Sequence, residues 1–270
     1  MNFVKKFLAL PNDSKTKTIG VALTLCLVCS VAVSAAAVVL KPIQEQNKLL
    51  DKKKNILQIG GLLKEGQSVE DAFKQVEPKV VDLATGEYVT DVNPDTFDAR
   101  AAAADPKQNV VLSREQDIAS IKRRAQYATV YLVKNPQGQV QKIILPVHGY
   151  GLWSTLYGFI ALQADANTVV GLGFYEHAET PGLGGEVDNP QWKAKWQGKA
   201  VFADNGKVAL SVVKGAAPEG DPKAIHQVDA LSGATLTSRG VDNLVHFWMG
   251  ENGFGPYLQK IRTSLPGGSS

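Results

Sequence analysis

The stretch that decides the fold is "YATVYLVKNPQGQVQKIIL", residues 127–145. Its two halves are rich in β-branched and aliphatic residues, and the linking segment "KNPQG" combines Asn, Pro and Gly. Two apolar runs that flank a short loop of turn-forming residues are typical of a β-hairpin. Such a hairpin makes neighbouring strands antiparallel, because parallel neighbours need a crossover of about a dozen residues.

Two further pairs of apolar segments follow the same plan. The segments are "GFIAL" at 158–162 with "TVVGLGF" at 168–174, and "KAVFAD" at 199–204 with "KVALSVV" at 207–213. The second pair flanks Asn205-Gly206, and Asn-Gly is the strongest short-range hairpin signal. We therefore expect a largely antiparallel sheet.

Helical signals lie around these strand pairs. The expected helices lie at 45–63, Ser68–Val76, 113–125, within 189–199 and near 239–250. The first ends at Gly60-Gly61, the third has a Ser113/Gln116 capping box, and the fourth is short with Asn189 as its N-cap. The last is an amphipathic run. The stretch between the second and third of these, including an alanine run, reads as irregular. The fold class is therefore α+β, with one mixed, largely antiparallel domain.

Composition excludes several classes of protein. The chain of 270 residues is 44% hydrophobic and 20% charged, which is ordinary for a globular protein and unlike a disordered one. Its net charge of +3 is small and its basic residues are dispersed, so we expect no nucleic-acid partner. Both cysteines, Cys26 and Cys29, lie in the N-terminal apolar segment, which leaves no disulfide framework for the remainder.

The segment from Thr18 to Leu40 predicts a transmembrane helix. Its 23 residues contain no charged side chain, and about 20 apolar residues span a bilayer as a helix. A cleaved signal peptide is the alternative, since "SAAA" offers small residues at a cleavage site, but signal-peptide apolar regions are shorter. Lysines flank both ends, so the positive-inside rule does not give the orientation.

The expected organisation has five parts. They are a short basic leader at 1–17, the span at 18–40, a juxtamembrane helix or linker at 41–66, the folded domain at 67–265, and a flexible tail at 266–270.

Common catalytic motifs do not appear in the sequence. It contains no G-x-S-x-G nucleophile elbow and no P-loop, and the glycines of "GENGFG" follow a helix instead of a strand. The four histidines have no close ligand spacing, so we expect no metal site.

Two segments remain as candidate binding elements. In "HAETPGLGGEVDNPQW", residues 177–192, glycines let the backbone approach a flat ligand beside polar and apolar side chains. In "DALSGATLTSRG", residues 229–240, four hydroxyl side chains crowd the start of an amphipathic helix. A helix N-terminus attracts phosphate, so this cluster either caps the helix or holds a phosphate group.

The segment "SGATLTS" at 232–238 matches the S-G-A-T-x-T pattern of proteins that receive FMN through a phosphoester on the last Thr. The chain also resembles the C-subunit family of the sodium-translocating NADH:quinone oxidoreductases. The similar segments are "VHGYGLWSTLYGFIAL", "GLGFYEHAETPGLGGEVDNPQWKAKWQGK" and "HQVDALSGATLTS", together with the single N-terminal span.

This resemblance implies a covalent FMN on Thr237 and an FMN-binding fold for the large domain. It also implies a set of surrounding residues. The residues that would form the recognition loop and surround the phosphate are Ser232, Gly233, Ala234 and Thr235. The residues that would line the isoalloxazine ring are Glu179, Thr180 and Leu183, with Trp153 and Lys214 nearby. Asp229 would serve recognition by the transferase.

The resemblance further implies an electron-transfer subunit without catalysis of its own. Its partners would be the other membrane subunits of the complex, an FAD-dependent flavin transferase and the lipid bilayer, with the large domain on the periplasmic side of the bacterial inner membrane. Two alternatives remain: the G subunit of an Rnf-type NADH:ferredoxin complex, which shares S-G-A-T-x-T, and a membrane-anchored binding or scaffold domain without cofactor.

Overall fold

The computed structural model describes residues 5–7, 9–63, 66–216, 218 and 220–264. The chain divides into a unit up to residue 51 and a unit from residue 52 onward. Most of helix α1 (Lys15–Ile59) lies in the first unit, and its last turns belong to the second; its most apolar 18-residue window has a mean hydropathy of 2.6 and no buried residue. The predicted apolar helix is thus confirmed, and its apolar window is exposed among the described residues.

Short helices surround the core of the second unit. They are α2 (Val69–Phe73), α3 (Ala99–Ala104), α4 (Pro190–Ala194), α5 (Thr235–Met249) and α6 (Gly255–Ser264), with 3-10 turns at Gly184–Asp188 and Pro222–His226. The predicted caps are confirmed: Ser68 accepts the amide of Asp71, and Asn189 accepts the amide of Gln191. The end of α1 also lies where glycines predicted it, with Gly61 at a φ of 62°.

A six-stranded antiparallel sheet forms the centre of the second unit. Its strands are β1 (Val76–Asp82), β2 (Tyr88–Val89), β5 (Tyr127–Lys134), β6 (Val140–Tyr150), β7 (Thr155–Gln163) and β8 (Val169–Glu176), in the order β2-β1-β5-β6-β7-β8. Two small sheets pair β3 (Asn109–Val111) with β4 (Arg123–Ala125), and β9 (Ser211–Val213) with β10 (Gln227–Asp229). The α+β class and the hairpin at 127–145 are confirmed.

Both faces of the central sheet are buried, which explains its continuous apolar strands. Successive side chains of a strand point to opposite faces. In β7, Phe159 and Ala161 pack in one hydrophobic cluster with the last turns of α1, whereas Ile160 and Leu162 pack in another with α5. Helix α5 therefore packs on one face of the sheet, and the turns at the ends of the strands lie near the start of that helix.

The helix predicted at 113–125 does not form. Ser113 and Gln116 exchange the hydrogen bonds of a capping box, but the chain then turns, with Ser120 at a φ of 54° and Lys122 at 66°. The Asp117 carboxylate accepts the amides of Ile121 and Lys122, which stops helix propagation. The capping box is therefore followed by a turn and not by a helix, because the Asp117 side chain accepts amides that would otherwise bond to backbone carbonyls.

Two other predictions need correction. Asn205-Gly206 makes a tight turn, but the flanking segments share only one isolated bridge, Phe202 to Val208. Only the last three residues of the expected second strand form a strand, β9, which pairs in parallel with β10. The alanine run that read as irregular forms α3, because Asp98 accepts the amides of Arg100 and Ala101 as its N-cap.

Candidate functional site

A buried contact joins the Gly-rich segment to the first turn of α5. The hydroxyl of Thr237 donates to Oε2 of Glu179 at 2.6 Å. Thr237 is 1% exposed and Glu179 is 5% exposed, so both groups are withdrawn from water. The two candidate segments of the sequence therefore meet at one point, and they do so through Thr237.

The other carboxylate oxygen of Glu179 lies in a ring of backbone amides. Oε1 accepts the amides of Leu152, Trp153 and Ser154 at 3.1, 2.9 and 3.3 Å. Burial would raise the pKa of Glu179, but the hydrogen bonds from Thr237 and these amides outweigh it and hold the pKa below its ordinary value. Glu179 is thus kept as a carboxylate beside the Thr237 hydroxyl.

Hydrogen bonds around the end of β8 fix the position of Glu179. The amide of Ala178 donates to the hydroxyl of Ser154 at 2.7 Å, which ties this segment to the turn between β6 and β7. The His177 ring contacts Asp188 at 2.8 Å and accepts the Glu179 amide at 3.2 Å. These hydrogen bonds fix the backbone around Glu179 and therefore the direction of its carboxylate.

Three glycines make room for this contact. A Cβ on Gly184 would lie 2.5 Å from the Thr237 hydroxyl oxygen and 2.6 Å from Glu179 Oε2, and one on Gly151 would lie 2.6 Å from Glu179 Oε1. A Cβ on Gly240 would lie 2.4 Å from the carbonyl oxygen of Tyr150, so this glycine lets α5 pack directly on the end of β6. The cradle around the carboxylate and hydroxyl is closed by backbone.

The start of α5 offers backbone donors. Its N-cap residue, Ala234, has no capping side chain, and no acceptor among the described residues faces the amides of Thr235, Leu236 and Thr237. The hydroxyl of Ser238 turns back instead and accepts the buried amide of Leu231 at 2.9 Å. Free amides and the helix dipole make this terminus a suitable phosphate site.

Apolar side chains stand exposed around the same point. Trp153 is 65% exposed, Leu236 is 52% exposed and Leu183 is 45% exposed, and Leu183 Cδ2 lies within 3.3 Å of a Cβ built on Gly233. Large apolar groups that cluster at the surface mark a binding site for an apolar ligand or partner. Donors for a phosphate next to exposed apolar groups for a flat ring fit the two halves of FMN.

Asp229 is engaged within the protein. Its carboxylate accepts the amide of Ala216 at 2.8 Å and pairs with Lys195 at 2.9 Å, while its carbonyl accepts the indole of Trp192 at 2.8 Å. The amide of Ala216 and the charge of Lys195 hold the pKa of Asp229 below its ordinary value. Asp229 therefore connects β10 to α4 and to the segment after β9.

The remaining predicted residues lie at the surface. Ser232 and Thr235 are exposed before and at the start of α5, and Thr180 is exposed in the Gly-rich segment, where its carbonyl accepts the amides of Leu183 and Gly185. Lys214 follows β9, is exposed, and pairs with no other side chain of the described residues. The structure thus joins Thr237 to Glu179, and Glu179 to Trp153, and puts Leu183 beside Gly233. It shows no contact of Lys214 with these residues.

Sequence reasoning did not foresee the roles of three residues around the cradle, one outside the two candidate segments and two at the end of the segment 229–240. Gly151 and Gly240 act by lacking a side chain, and Ser238 acts as an acceptor for a backbone amide. A glycine inside an amphipathic helix is the one signal that pointed to Gly240, since it weakens the helix unless close packing requires it.

Comparison with known families identifies the domain that contains these residues. The model of the FMN-binding domain family matches residues 151–250, which include the amide ring, the Gly-rich segment and α5. The C subunit of the Na(+)-translocating NADH-quinone reductase of Pseudomonas aeruginosa is 53% identical over 254 residues, 93% of this chain and 97% of that protein. The protein of the same name from Neisseria meningitidis is 50% identical over 261 residues, 96% of this chain and 98% of that one.

Solved structures agree with these relatives. NqrC of Shewanella oneidensis superposes with a TM-score of 0.74 at 40% identity, over 81% of this chain and all of that one. The C subunit of the Na(+)-translocating NADH-quinone reductase of Parabacteroides distasonis superposes with a TM-score of 0.61 at 29% identity, over 81% of this chain and 96% of that one.

Proposed function

The chain belongs to the C-subunit family of the Na(+)-translocating NADH-quinone reductases, and on that premise we propose that it relays electrons through an FMN joined by a phosphoester to Thr237. The relay serves electron transfer from NADH to ubiquinone, coupled to Na+ export by the whole complex. Bound at this site, FMN supplies one-electron and two-electron redox chemistry that no amino-acid side chain supplies.

The buried Thr237 hydroxyl at the start of α5 is the observation that carries this proposal. Attachment through the phosphate would place that group beside the free amides of Thr235 and Leu236, which favour negative charge. The exposed side chains of Leu183 and Trp153 would cover the apolar ring. A covalent tether also prevents loss of the cofactor into a compartment without an FMN pool.

Peptide mass spectrometry tests the attachment. The full-length chain is produced together with an FAD-dependent flavin transferase, and its flavin is followed by fluorescence after denaturing electrophoresis. We expect one FMN on Thr237, none in Thr237→Ala, and retained flavin on the same residue in Thr235→Ala. Flavin located on Thr235 or Ser238, or fluorescence that disappears on denaturation, would refute the assignment.

We further propose that the apolar part of α1 anchors the chain in the inner membrane, with the second unit in the periplasm. Residues 18–40 carry no charge, and none of the described residues buries the most apolar window of α1. Protease added to intact spheroplasts should then degrade the second unit. Protection until the membrane is opened would place that unit in the cytoplasm.

The two alternatives are less well supported. The relatives compared above are all named for the quinone reductase, which disfavours an Rnf-type G subunit. A scaffold domain without cofactor would have no need for a buried threonine held by a carboxylate within a glycine cradle. A colourless protein after production with the transferase would nevertheless favour the scaffold.

A further inference from the structure

The contact between Thr237 and Glu179 has the geometry of a nucleophile with its base. A general base must lie about 2.6–3.2 Å from the group whose proton it accepts. The Thr237 hydroxyl already donates to Glu179 Oε2 at 2.6 Å, within a cradle that water does not reach. We propose that Glu179 is the general base for the attachment of FMN, so that the acceptor protein supplies part of the chemistry of its own modification.

This inference rests on the proposed attachment at Thr237, and its chemistry balances with FAD as donor. The Thr237 oxygen attacks the phosphorus on the riboflavin side of the pyrophosphate, and a new oxygen–phosphorus bond forms. The bond from that phosphorus to the bridging oxygen breaks, and AMP leaves. The hydroxyl proton passes to Glu179 Oε2 and then to solvent, so no oxidant or reductant is needed.

A carboxylate that stays ionised and points at the hydroxyl can accept the proton in this reaction. In phosphoryl transfer to a hydroxyl, protein kinases use an aspartate that accepts the substrate proton, while most of the catalysis comes from positioning and charge. The three amides on Oε1 keep Glu179 ionised and direct Oε2 at Thr237. Among the described residues, no other ionisable side chain contacts the Thr237 hydroxyl.

The closed cradle also implies a movement during attachment. Thr237 is 1% exposed, and Gly184 lies against its hydroxyl, so the phosphate of a donor cannot reach it while the Gly-rich segment stays in place. Attachment removes the hydroxyl proton and places phosphate charge beside a carboxylate, which like charges disfavour. The contact between Glu179 and Thr237 is therefore specific to the acceptor state and is lost in the flavinylated protein.

Glu179→Gln separates a base from a simple hydrogen-bond acceptor. Because three amides surround the Oε1 position, the amide oxygen of Gln takes that place and its NH₂ group faces Thr237, where it cannot accept a proton. The full-length chain, purified without flavin, is mixed with FAD, Mg²⁺ and excess transferase. The rate of covalent flavin formation and the transferase concentration at half-maximal rate are measured.

A matched control is Glu186→Gln, since Glu186 is nearby in the chain but bonds Asn189 at 2.7 Å. We expect the maximal rate of Glu179→Gln to fall at least tenfold, with an unchanged half-saturating transferase concentration, and Glu186→Gln to match the wild type. A fall of less than tenfold, or a change confined to half-saturation, would overturn the proposal and leave the base to the transferase.

Thermal unfolding shows whether Glu179→Gln keeps its fold. If it does not, the comparison moves to Glu179→Asp and Glu179→Asn, which share size and differ in the ability to accept a proton. The Asp variant should attach flavin at least tenfold faster than the Asn variant, and a smaller ratio would refute the base. A wild-type chain that accepts no covalent flavin on Thr237 would instead refute the proposed function, and this inference with it.

Discussion

Each of the two candidate segments contributes a carboxylate near Thr237, and the structure uses the two in different ways. Glu179 is 5% exposed and directs one oxygen at the Thr237 hydroxyl. Asp229 is more exposed, and both its oxygens are engaged by the protein, through the amide of Ala216 and the ammonium of Lys195. The first carboxylate faces the atom to be modified, and the second joins backbone segments.

The difference shows that position in the sequence is a poor guide to a residue's role. Asp229 lies eight residues before Thr237 and within the same motif, whereas Glu179 lies 58 residues away. Glu179 nevertheless contacts Thr237, because β8 ends where the turn between β6 and β7 can bind its carboxylate. We therefore expect changes around Glu179 to affect flavin attachment, and changes around Asp229 to affect mainly stability.

Gly184→Ala should have the largest effect. The added Cβ would lie 2.5 Å from the Thr237 oxygen and 2.6 Å from Glu179 Oε2, so the hydroxyl and carboxylate must separate. We expect covalent flavin to be lost while the sheet stays folded, as measured by in-gel fluorescence and circular dichroism.

Gly138→Ala is the control for Gly184→Ala. Gly138 has a φ of 81° and no heavy atom within 4 Å of an added Cβ, so its variant is strained by about 1 kcal/mol without touching the site. A Gly184→Ala protein with normal flavin content would show that the cradle tolerates displacement and that the Glu179 contact is dispensable.

Ser238→Ala should have the second largest effect, and this effect should be on stability and not on where the flavin is attached. The hydroxyl of Ser238 accepts the amide of Leu231 at 2.9 Å, and both residues are buried. An unsatisfied buried amide costs about 1–3 kcal/mol, which we expect as a lower free energy of unfolding in urea titration. Ser238→Thr should recover part of this loss. Flavin that moves or disappears in the alanine variant would make Ser238 part of the attachment chemistry.

The fold was largely predictable because its strands come in apolar pairs with short turns. The hairpin at 127–145 and the β7–β8 pair followed from that pattern. The segment 113–125 failed because its capping box was read as a helix start, while Asp117 captured the amides of Ile121 and Lys122. The parallel pairing of β9 and β10 has no local signal, since it depends on the chain returning after a 3-10 turn.

The site was predictable only in part. Thr237 and Glu179 were identified through a family resemblance, and neither residue's hydrogen-bond partner was foreseen. The reason is physical: the carboxylate is held by backbone amides of Leu152, Trp153 and Ser154, and an amide leaves no trace in the sequence. Gly151 matters by a missing side chain, which a sequence also cannot distinguish from a turn.

Asp229→Asn should have a moderate effect that depends on pH. Loss of the charged partner for Ala216 and Lys195 should reduce the free energy of unfolding by about 1 kcal/mol at pH 7, with flavin attachment slowed but retained. The folded-state pKa of Asp229 is lowered, so its stabilisation is present above the unfolded value of about 3.9 and is lost as the pH falls through the folded pKa.

Urea titrations across this pH range can test the sign. Wild type and Asp229→Asn should differ fully in stability above about pH 4 and converge as the pH falls through the lower, folded-state pKa, because wild type then also lacks the charge. Complete loss of covalent flavin with unchanged stability would reverse the comparison and make Asp229 a contact for the transferase.

Lys214→Ala should have the smallest effect. Lys214 follows β9, two residues before the amide that Asp229 holds, and its side chain is exposed. A cation near the flavin would favour the reduced cofactor, because negative charge increases on reduction. A partly exposed pair is worth on the order of 1 kcal/mol, or about 40 mV for one electron. Lys214→Ala should then lower the midpoint potential by at most about that amount, and leave attachment at Thr237 intact.

The matched control is Lys207→Ala, because Lys207 is an exposed lysine in the turn before β9. Equal midpoint potentials for the two variants in potentiometric titration would make Lys214 an ordinary surface charge. In either case Glu179 is the one ionisable side chain among the described residues that contacts the Thr237 hydroxyl.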